Sequence, residues 1–344
     1  MNKRRSVLRL ADVAAEAGVS IATASRSLSG TYGVSAAVAE HARKTADDLG
    51  YVVNLHARSL AGGPTSTIGL IVHEIGDEYF SEIAAGVLRI ATKHQLTVQI
   101  SNSGLNPEVE LSQIRNLVAN RIGVIIIAGS GFVDPALQAA SRRELVSFRR
   151  FGGRVAVIGR HHLAMDAVLP DNQAGGQSVA EHVLSLGHRR IAVASGPRGL
   201  TTVADRLAGI EAVLQSHGLR RADVPVIEAD FTRDGGKVAA TRILAEHGDV
   251  TAVIALNDAM AIGVLSHFRS QGVDIPGRVS VAGFGDIPVA EDLAPSLTTV
   301  RLPMPKIGEL ALTMALKPPA ARPRRQTTGH SLMVRDSTGP APRH

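Results

Sequence analysis

The most specific chemistry in this 344-residue chain lies at residues 10–28. Thr23, Ser25 and Arg26 follow a Gly18-Val19-Ser20 turn. Their spacing puts hydroxyls and a guanidinium on the exposed side of one short helix, where they can meet phosphates or base edges. Leu10, Val13, Ala14 and Ala17 recur at helical spacing before the turn. Gly18 supplies the positive φ that a sharp turn requires. Ser20 is an N-cap residue type, so a second helix starts at Ile21. Two short helices at such a turn form the helix-turn-helix that lays its second helix in the major groove of duplex DNA. The hydroxyls of Ser20, Thr23, Ser25 and Ser29 suit phosphates, which position a protein without specifying sequence.

The remaining chain has to support and control that element. It is 44% hydrophobic and 20% charged, with aromatics at 3% and no Trp, so its core is built from Ala, Val, Ile and Leu. The net charge of +6 fits a nucleic-acid partner, although a GC-rich coding bias toward Arg produces the same balance. Cys is absent, which excludes disulfides and thiolate metal sites, and no cofactor is expected. Lys3, Arg4 and Arg5 are followed by Asp12 and Glu16 rather than by an apolar stretch, unlike a secretory signal. No apolar run reaches the roughly 18 residues of a membrane span. The expected location is therefore the cytoplasm, with no membrane partner.

Beyond the turn, Ser35 caps a third helix to Leu49, with Val38, Ala42, Ala46 and Leu49 on one face and Gly50 ending it. Residues 51–63 form a connector with an N-cap at Asn54 and a short helical stretch at 55–61. Gly62-Gly63-Pro64 marks a boundary. From Thr67 strands and helices alternate. Strands are expected at 68–72, 97–101, 124–128, 155–158, 191–194, 225–228, 252–255 and 280–283. Helices are expected at 81–94, 108–120, 175–186, 206–217, 235–246 and 259–271. Most of the strands are continuous apolar runs, as in parallel sheets buried on both faces. Repeated β-α units imply doubly wound parallel sheets. There are too many units for one core, so two α/β subdomains with a cleft at the strands' carboxyl ends are expected.

The ordered motifs match a family. Asp12-Val13-Ala14, Ala17-Gly18-Val19-Ser20, Thr23 and Ser25-Arg26 are followed by Ala57-Arg58-Ser59-Leu60. Further on come Leu186-Gly187-His188-Arg189-Arg190-Ile191, Asp205-Arg206-Leu207-Ala208-Gly209 and Asn257-Asp258-Ala259-Met260. Ile275-Pro276, Gly285-Asp286 and Pro295-Ser296-Leu297-Thr298-Thr299 complete the series. Across its whole length the chain resembles the LacI/GalR family of bacterial transcription regulators.

The resemblance implies a helix-turn-helix domain at 1–50, a hinge helix at 51–63 and a periplasmic-binding-protein-like effector and dimerisation domain at 64–344. Its first subdomain would span about 64–168 and 304–331, and its second about 172–300 and 332–344. The chain would cross between them near 168–172, 300–304 and 331. It also implies a homodimer on a palindromic double-stranded DNA operator, with a small polar ligand, a sugar or sugar derivative, acting from the cleft. A purine-type corepressor is the alternative.

Family positions facing base edges fall at Ile21, Ala22 and Arg26. Arg reads guanine through O6 and N7, while Ile21 and Ala22 can only pack on a thymine methyl. In the hinge, Asn54, Ala57, Arg58 and Leu60 are the implied DNA contacts. Leu60 would wedge into the minor groove and kink the duplex; as a plain linker residue it would anchor the effector domain instead. Effector contacts are implied at Tyr79, Phe80, Arg206, Phe231, Asn257 and Asp286. Asn257 also has a second reading, as the cap of the following helix. Relatives often carry two acids where this chain has Gly285-Asp286, so no particular sugar carries over.

An enzyme is the rival class, but the dinucleotide, P-loop, zincin and nucleophile-elbow motifs are absent from the sequence. His161 and His162 are adjacent and would point apart, which argues against a metal pair. A solute-binding protein would share the effector fold but would not carry residues 1–60. The Pro- and Arg-rich segment after Lys317 has no leucine heptads, which favours a dimer over a coiled-coil tetramer.

Overall fold

The structure is a computed structural model that describes residues 8–29, 33–51 and 67–343. The expected hinge contacts Asn54, Ala57, Arg58 and Leu60 lie outside the described residues, as does the side chain of Ser29. The chain divides into two compact units, Met1–Thr65 and Ser66–His344.

The first unit holds three helices, α1 (Leu10–Glu16), α2 (Ile21–Ser29) and α3 (Ala36–Leu49). Val13, Ala14, Ala17, Ala24, Ala42 and Ala46 are buried between them. Alanines at the contacts let the short helices approach closely. Gly18 adopts φ +63° at the turn, and Gly50 closes α3 in the left-handed region at φ +68°. The Ser35 hydroxyl accepts from the Val38 amide and caps α3.

The second unit contains two six-stranded sheets. In chain order its elements are β1 (Thr67–Val72), α4 (Glu78–Lys93), β2 (Thr97–Asn102), α5 (Pro107–Ala119), β3 (Val124–Ala128), α6 (Ala139–Arg150), β4 (Arg154–Ile158) and β5 (Asp166–Pro170). Then follow α7 (Asn172–Ser185), β6 (Ile191–Ser195), α8 (Thr201–Ser216), β7 (Val226–Glu228), α9 (Arg233–Glu246), β8 (Ala252–Ala255), α10 (Asp258–Ser270) and β9 (Ser280–Gly285). The last are β10 (Thr298–Arg301), α11 (Met304–Leu316), β11 (Arg325–Thr328) and β12 (Ser331–Met333).

The strand orders are β11-β5-β4-β3-β1-β2 and β12-β10-β9-β8-β6-β7. All neighbours are parallel except β12, which runs antiparallel to β10. The chain passes between the sheets after β5, after β10 and between β11 and β12. Central strands such as β3 and β8 are buried throughout, whereas the edge strands β2 and β11 are largely exposed and polar. Periodicity finds β1–β4 and β6–β9, the exposed edge strand β2 included, and misses β5 and β10 inside the sheets and β11 and β12 at their edges. It also misses α6, whose run of arginines dilutes the apolar stripe, and α11, which opens around Pro303 and Pro305.

Candidate functional site

In α2 the local geometry follows from its cap. The Ser20 hydroxyl accepts from the Thr23 amide at 3.1 Å and sits 2.8 Å from the Thr23 hydroxyl. Ala24 and Ser27 turn inward, while Ile21, 55% exposed, shares the outer face with Ala22 and Arg26. Thr23 and Ser25 are half-buried at its margins. Arg26 Nε donates to the Ala22 carbonyl at 3.2 Å, which folds the guanidinium along the helix surface. Arg43 of α3 donates to the Ser27 carbonyl at 3.3 Å and ties the end of α2 to its neighbour. Among the residues expected to face base edges, Ile21, Ala22 and Arg26 therefore share one solvent-facing surface.

The second site lies where the carboxyl ends of the two sheets meet. Arg206, on the first turns of α8, is 3% exposed. Its Nε donates to Asn172 Oδ1 at 2.9 Å, Nη1 donates to the Leu256 carbonyl, and its guanidinium carbon stands 3.8 Å over the Phe284 ring. Burial pushes Arg206 down to about 10. Tyr79, Asp258, Asp77 and Asp205 pull the other way, so it stays charged at neutral pH. Tyr79 and Asp77 belong to the first subdomain, on the opposite side of the cleft. Asp77 caps α4 by accepting from the Tyr79 amide at 3.0 Å. Burial raises its carboxyl above the usual range, and the charge of Arg206 works against that rise.

Asp258 is buried behind Arg206. It accepts from Thr299 Oγ1 at 2.6 Å and from the Ile287 amide at 3.0 Å, and burial still pushes it up to about 6. Asn257 caps α10 by accepting from Met260 at 2.8 Å, and its amide nitrogen donates to the Phe231 carbonyl at 3.0 Å. Phe231 packs against Gly196, just beyond β6, where an added Cβ would stand 2.5 Å from the ring.

Several cleft residues carry no sequence motif. His73 follows β1 directly, and its ring lies 5.3 Å from that of Phe80, which in turn meets Tyr79 edge-on at 5.0 Å. Burial and the neighbouring His161 push His73 down to about 3. His161, past the end of β4, is pushed by burial to about 4. It contacts the Gly129 and Ile158 carbonyls through Nε2 and Gln138 through Nδ1. Both imidazoles are neutral at physiological pH. The available signal was position alone, because each lies at a strand's carboxyl end.

The two subdomains also touch directly. Val133 donates to the Gly199 carbonyl at 2.8 Å, Thr201 to the Gly131 carbonyl at 2.9 Å, and the Thr202 amide to Ser130 Oγ at 3.0 Å. Arg160 grips both carboxylate oxygens of Asp205, with contacts of 2.7 to 3.1 Å.

Of the six expected effector residues, Tyr79, Phe80, Arg206, Phe231 and Asn257 gather around the cleft. Asp286 adjoins Asp258, whose carboxylate accepts from the Asp286 amide, and its own carboxylate is held by Arg301 and by Arg335 at 2.7 Å. Gly285, next to Asp286, has φ +143°, and an added Cβ would lie 3.2 Å from Asp258 Oδ2. Asn172, the first residue of α7 after the N-cap Asp171, orients Arg206. Among the described residues no group of three or more His, Cys, Asp or Glu could hold a metal ion, and no helix is long and apolar enough to cross a membrane.

Residues 9–54 match the family described as bacterial regulatory proteins, lacI family, and residues 180–338 match the periplasmic binding protein-like domain. The chain is 32% identical over 313 residues to the HTH-type transcriptional regulator GalS of Salmonella typhimurium, covering 90% of each protein. It is 32% identical over 354 residues to the HTH-type transcriptional regulator reg1 of Streptomyces lividans, covering 97% of each. Among solved structures, the transcriptional regulator CelR–cellobiose complex superposes with a TM-score of 0.71 at 26% identity, covering 96% of this chain and 99% of that one. The lac repressor dimer bound to operator and the anti-inducer ONPF shares the fold, with a TM-score of 0.83 at 24% identity over 97% of this chain and 100% of that one.

Proposed function

Because this chain belongs to the lacI family of bacterial regulatory proteins, we propose that it is a cytoplasmic, homodimeric, operator-binding repressor whose DNA affinity is set by an uncharged polyhydroxylated ligand, a sugar or sugar derivative. It acts as a regulator, not an enzyme, and needs no cofactor. Two copies of α2 would enter successive major grooves of a palindrome. Arg26 would read a guanine, and Ile21 and Ala22 would pack on thymine methyls. Ser20, Thr23, Ser25 and Ser29 would hold phosphates. Asn54, Ala57, Arg58 and Leu60 would complete the contact at the operator centre, with Leu60 as the minor-groove wedge.

The observation that supports the effector reading is Arg206. It is fixed by Asn172, the Leu256 carbonyl and Phe284, and it shares its field with Asp77 and Tyr79 of the other subdomain. A molecule bound between those groups touches both subdomains, so it has different affinities for their open and closed arrangements. That difference is what an allosteric ligand needs.

The charges argue for a neutral ligand. Arg206 is balanced by Asp258 and Asp77, Arg160 is occupied by Asp205, and His73 and His161 are uncharged. An anion there would be buried without a counter-charge, which costs several kcal/mol. Tyr79 and Phe231 offer ring faces to the apolar side of a sugar.

The test is a thermal-shift screen against sugars, polyols, sugar phosphates and nucleosides, with each hit repeated on operator DNA. A neutral sugar or polyol that stabilises the protein and changes its DNA affinity is the expected result. Stabilisation by sugar phosphates alone contradicts the neutral-ligand reading, and stabilisation by nucleosides alone favours the purine-type alternative.

A further inference from the structure

Outside both sites, one end of the first sheet is strongly basic. The N-terminal ends of its strands form a hydrogen-bonded row. Gly123 donates to the Thr67 carbonyl at 3.3 Å and Arg154 to the Gly123 carbonyl at 3.1 Å. Farther along the row, Ala167 donates to the Arg324 carbonyl at 2.9 Å. Helices α6 and α11 end at the same edge, where Arg154 Nη1 donates to the Leu316 carbonyl at 2.9 Å. Arg149, Arg154, Lys317 and Arg324 therefore line one depression at this edge, and the exposed Arg150 and Arg325 adjoin Arg149 and Arg324 in the chain. The acid within the row, Asp166, is already bound by Arg324 at 2.9 Å.

Cations at helix C-termini are favourable on their own, and this accounts for Arg149, Arg150 and Lys317 as a matter of stability. It does not account for Arg325, which is exposed on β11, or for Phe151. That phenylalanine is 89% exposed in the turn between α6 and β4, beside Arg150. The depression enclosed by Arg149, Arg154, Lys317 and Arg324 is about 20 Å³, room for a water or one phosphate oxygen and too small for a metabolite. A repeating polyanion that lies across the face suits it better than a small ligand that enters it.

The row also contains Thr67, where the chain arrives from the unit that carries the helix-turn-helix. With strands spaced about 4.8 Å apart, Arg154 is two strands from that entry point, roughly 10 Å. Residues 52–66 span at most about 50 Å when fully extended. The covalent length of this connector alone permits DNA held by the first unit to meet this face.

We propose that this basic face of the effector unit is a second DNA-contacting surface, engaging backbone phosphates of the duplex that flanks the operator. The proposal rests on the reading of the chain as an operator-binding regulator. Its contacts are to phosphate, so they add affinity and salt dependence without sequence preference.

The test uses the full-length protein and an operator obtained by selection from a random-sequence duplex library. Affinity is measured by fluorescence anisotropy over a salt series, on a duplex limited to the operator and on one extended by about 15 base pairs at each end. The wild type should bind the longer duplex at least roughly tenfold tighter at low salt, with a steeper log–log salt slope. The Arg150→Gln, Lys317→Gln, Arg325→Gln variant avoids every arginine bonded within the face. With three cations removed from each of the two subunits, it should lose the length advantage and roughly 5 units of slope, yet bind the short duplex and melt like the wild type. Equal affinity and slope on both duplexes would overturn the proposal and leave the face to an acidic protein partner. Equal losses on both duplexes would overturn it as well. If selection enriches no operator, the operator-binding reading fails and takes this proposal with it. A selected operator without a length effect defeats this proposal alone.

Discussion

Arg160 and Asp205 join the two α/β subdomains through a two-oxygen ion pair. One residue lies past the carboxyl end of β4 and the other on α8, one position before Arg206. The inter-subdomain contact and Arg206 thus sit side by side on α8. A ligand that pulls on Arg206 acts on the same helix that carries the latch.

Removing the latch should loosen closure without unfolding the chain. The pair is partly exposed, so about 1 kcal/mol is the expected contribution. Asp205→Ala should weaken ligand binding by roughly three- to tenfold in calorimetry and leave operator affinity without ligand unchanged. Unaltered ligand affinity would show that the pair does not report on closure.

Arg206→Lys should separate sensing from DNA binding. Lysine keeps the charge but lacks the planar fork that reaches Asn172 and the Leu256 carbonyl together. The variant should bind operator like the wild type and respond to ligand at least roughly tenfold more weakly. Wild-type ligand sensitivity would remove Arg206 from the site.

His73 gives the cleft a pH signature. Its folded value of about 3 lies below the ordinary 6.5, so the unfolded chain binds the extra proton. The stabilisation is complete above pH 6.5 and is lost progressively as pH falls toward the folded value, at about 1.4 kcal/mol per pH unit. Asp258, pushed up to about 6, works in the opposite direction across part of that window, so the comparison must be differential. Between about pH 7.5 and about pH 5.5, His73→Gln should lose roughly 1 kcal/mol less stability than the wild type in denaturant titrations. Identical losses would mean that the imidazole is not buried as described.

Gly285 should reject an acidic side chain. A side chain there faces positive φ and a Cβ 3.2 Å from the Asp258 carboxylate. Gly285→Asp should cost about 1–3 kcal/mol, read as a lowered Tm, and Gly285→Ala a smaller part of that. A neutral effect of both would show that the backbone relaxes at this position.

Much of the architecture was legible because buried parallel strands read as apolar runs, and β1, β3, β6 and β8 stand out for that reason. The edge strand β11, Arg-Gln-Thr-Thr, has no apolar face to read. In the cleft, Arg206, Tyr79 and Asn257 came from motif resemblance. His73, His161 and Thr201 could not, because each acts through its place at a strand end or helix start and not through a spacing. The role of Asn172 has no sequence signal for a related reason. Its partner Arg206 is 34 residues away, and only the packing of α7 against α8 brings them together. At Asn257 the two readings coexist: the side chain caps α10 while lying at the rim of the cleft.

The most direct measurement is the operator affinity of the full-length protein, at one fixed salt concentration, with and without a saturating amount of the ligand found in the thermal-shift screen. An allosteric regulator should show at least a roughly fivefold change in Kd, with Arg206→Lys abolishing the change and sparing the DNA binding itself. Equal affinity with and without a ligand that demonstrably occupies the cleft would contradict control of DNA binding from this site.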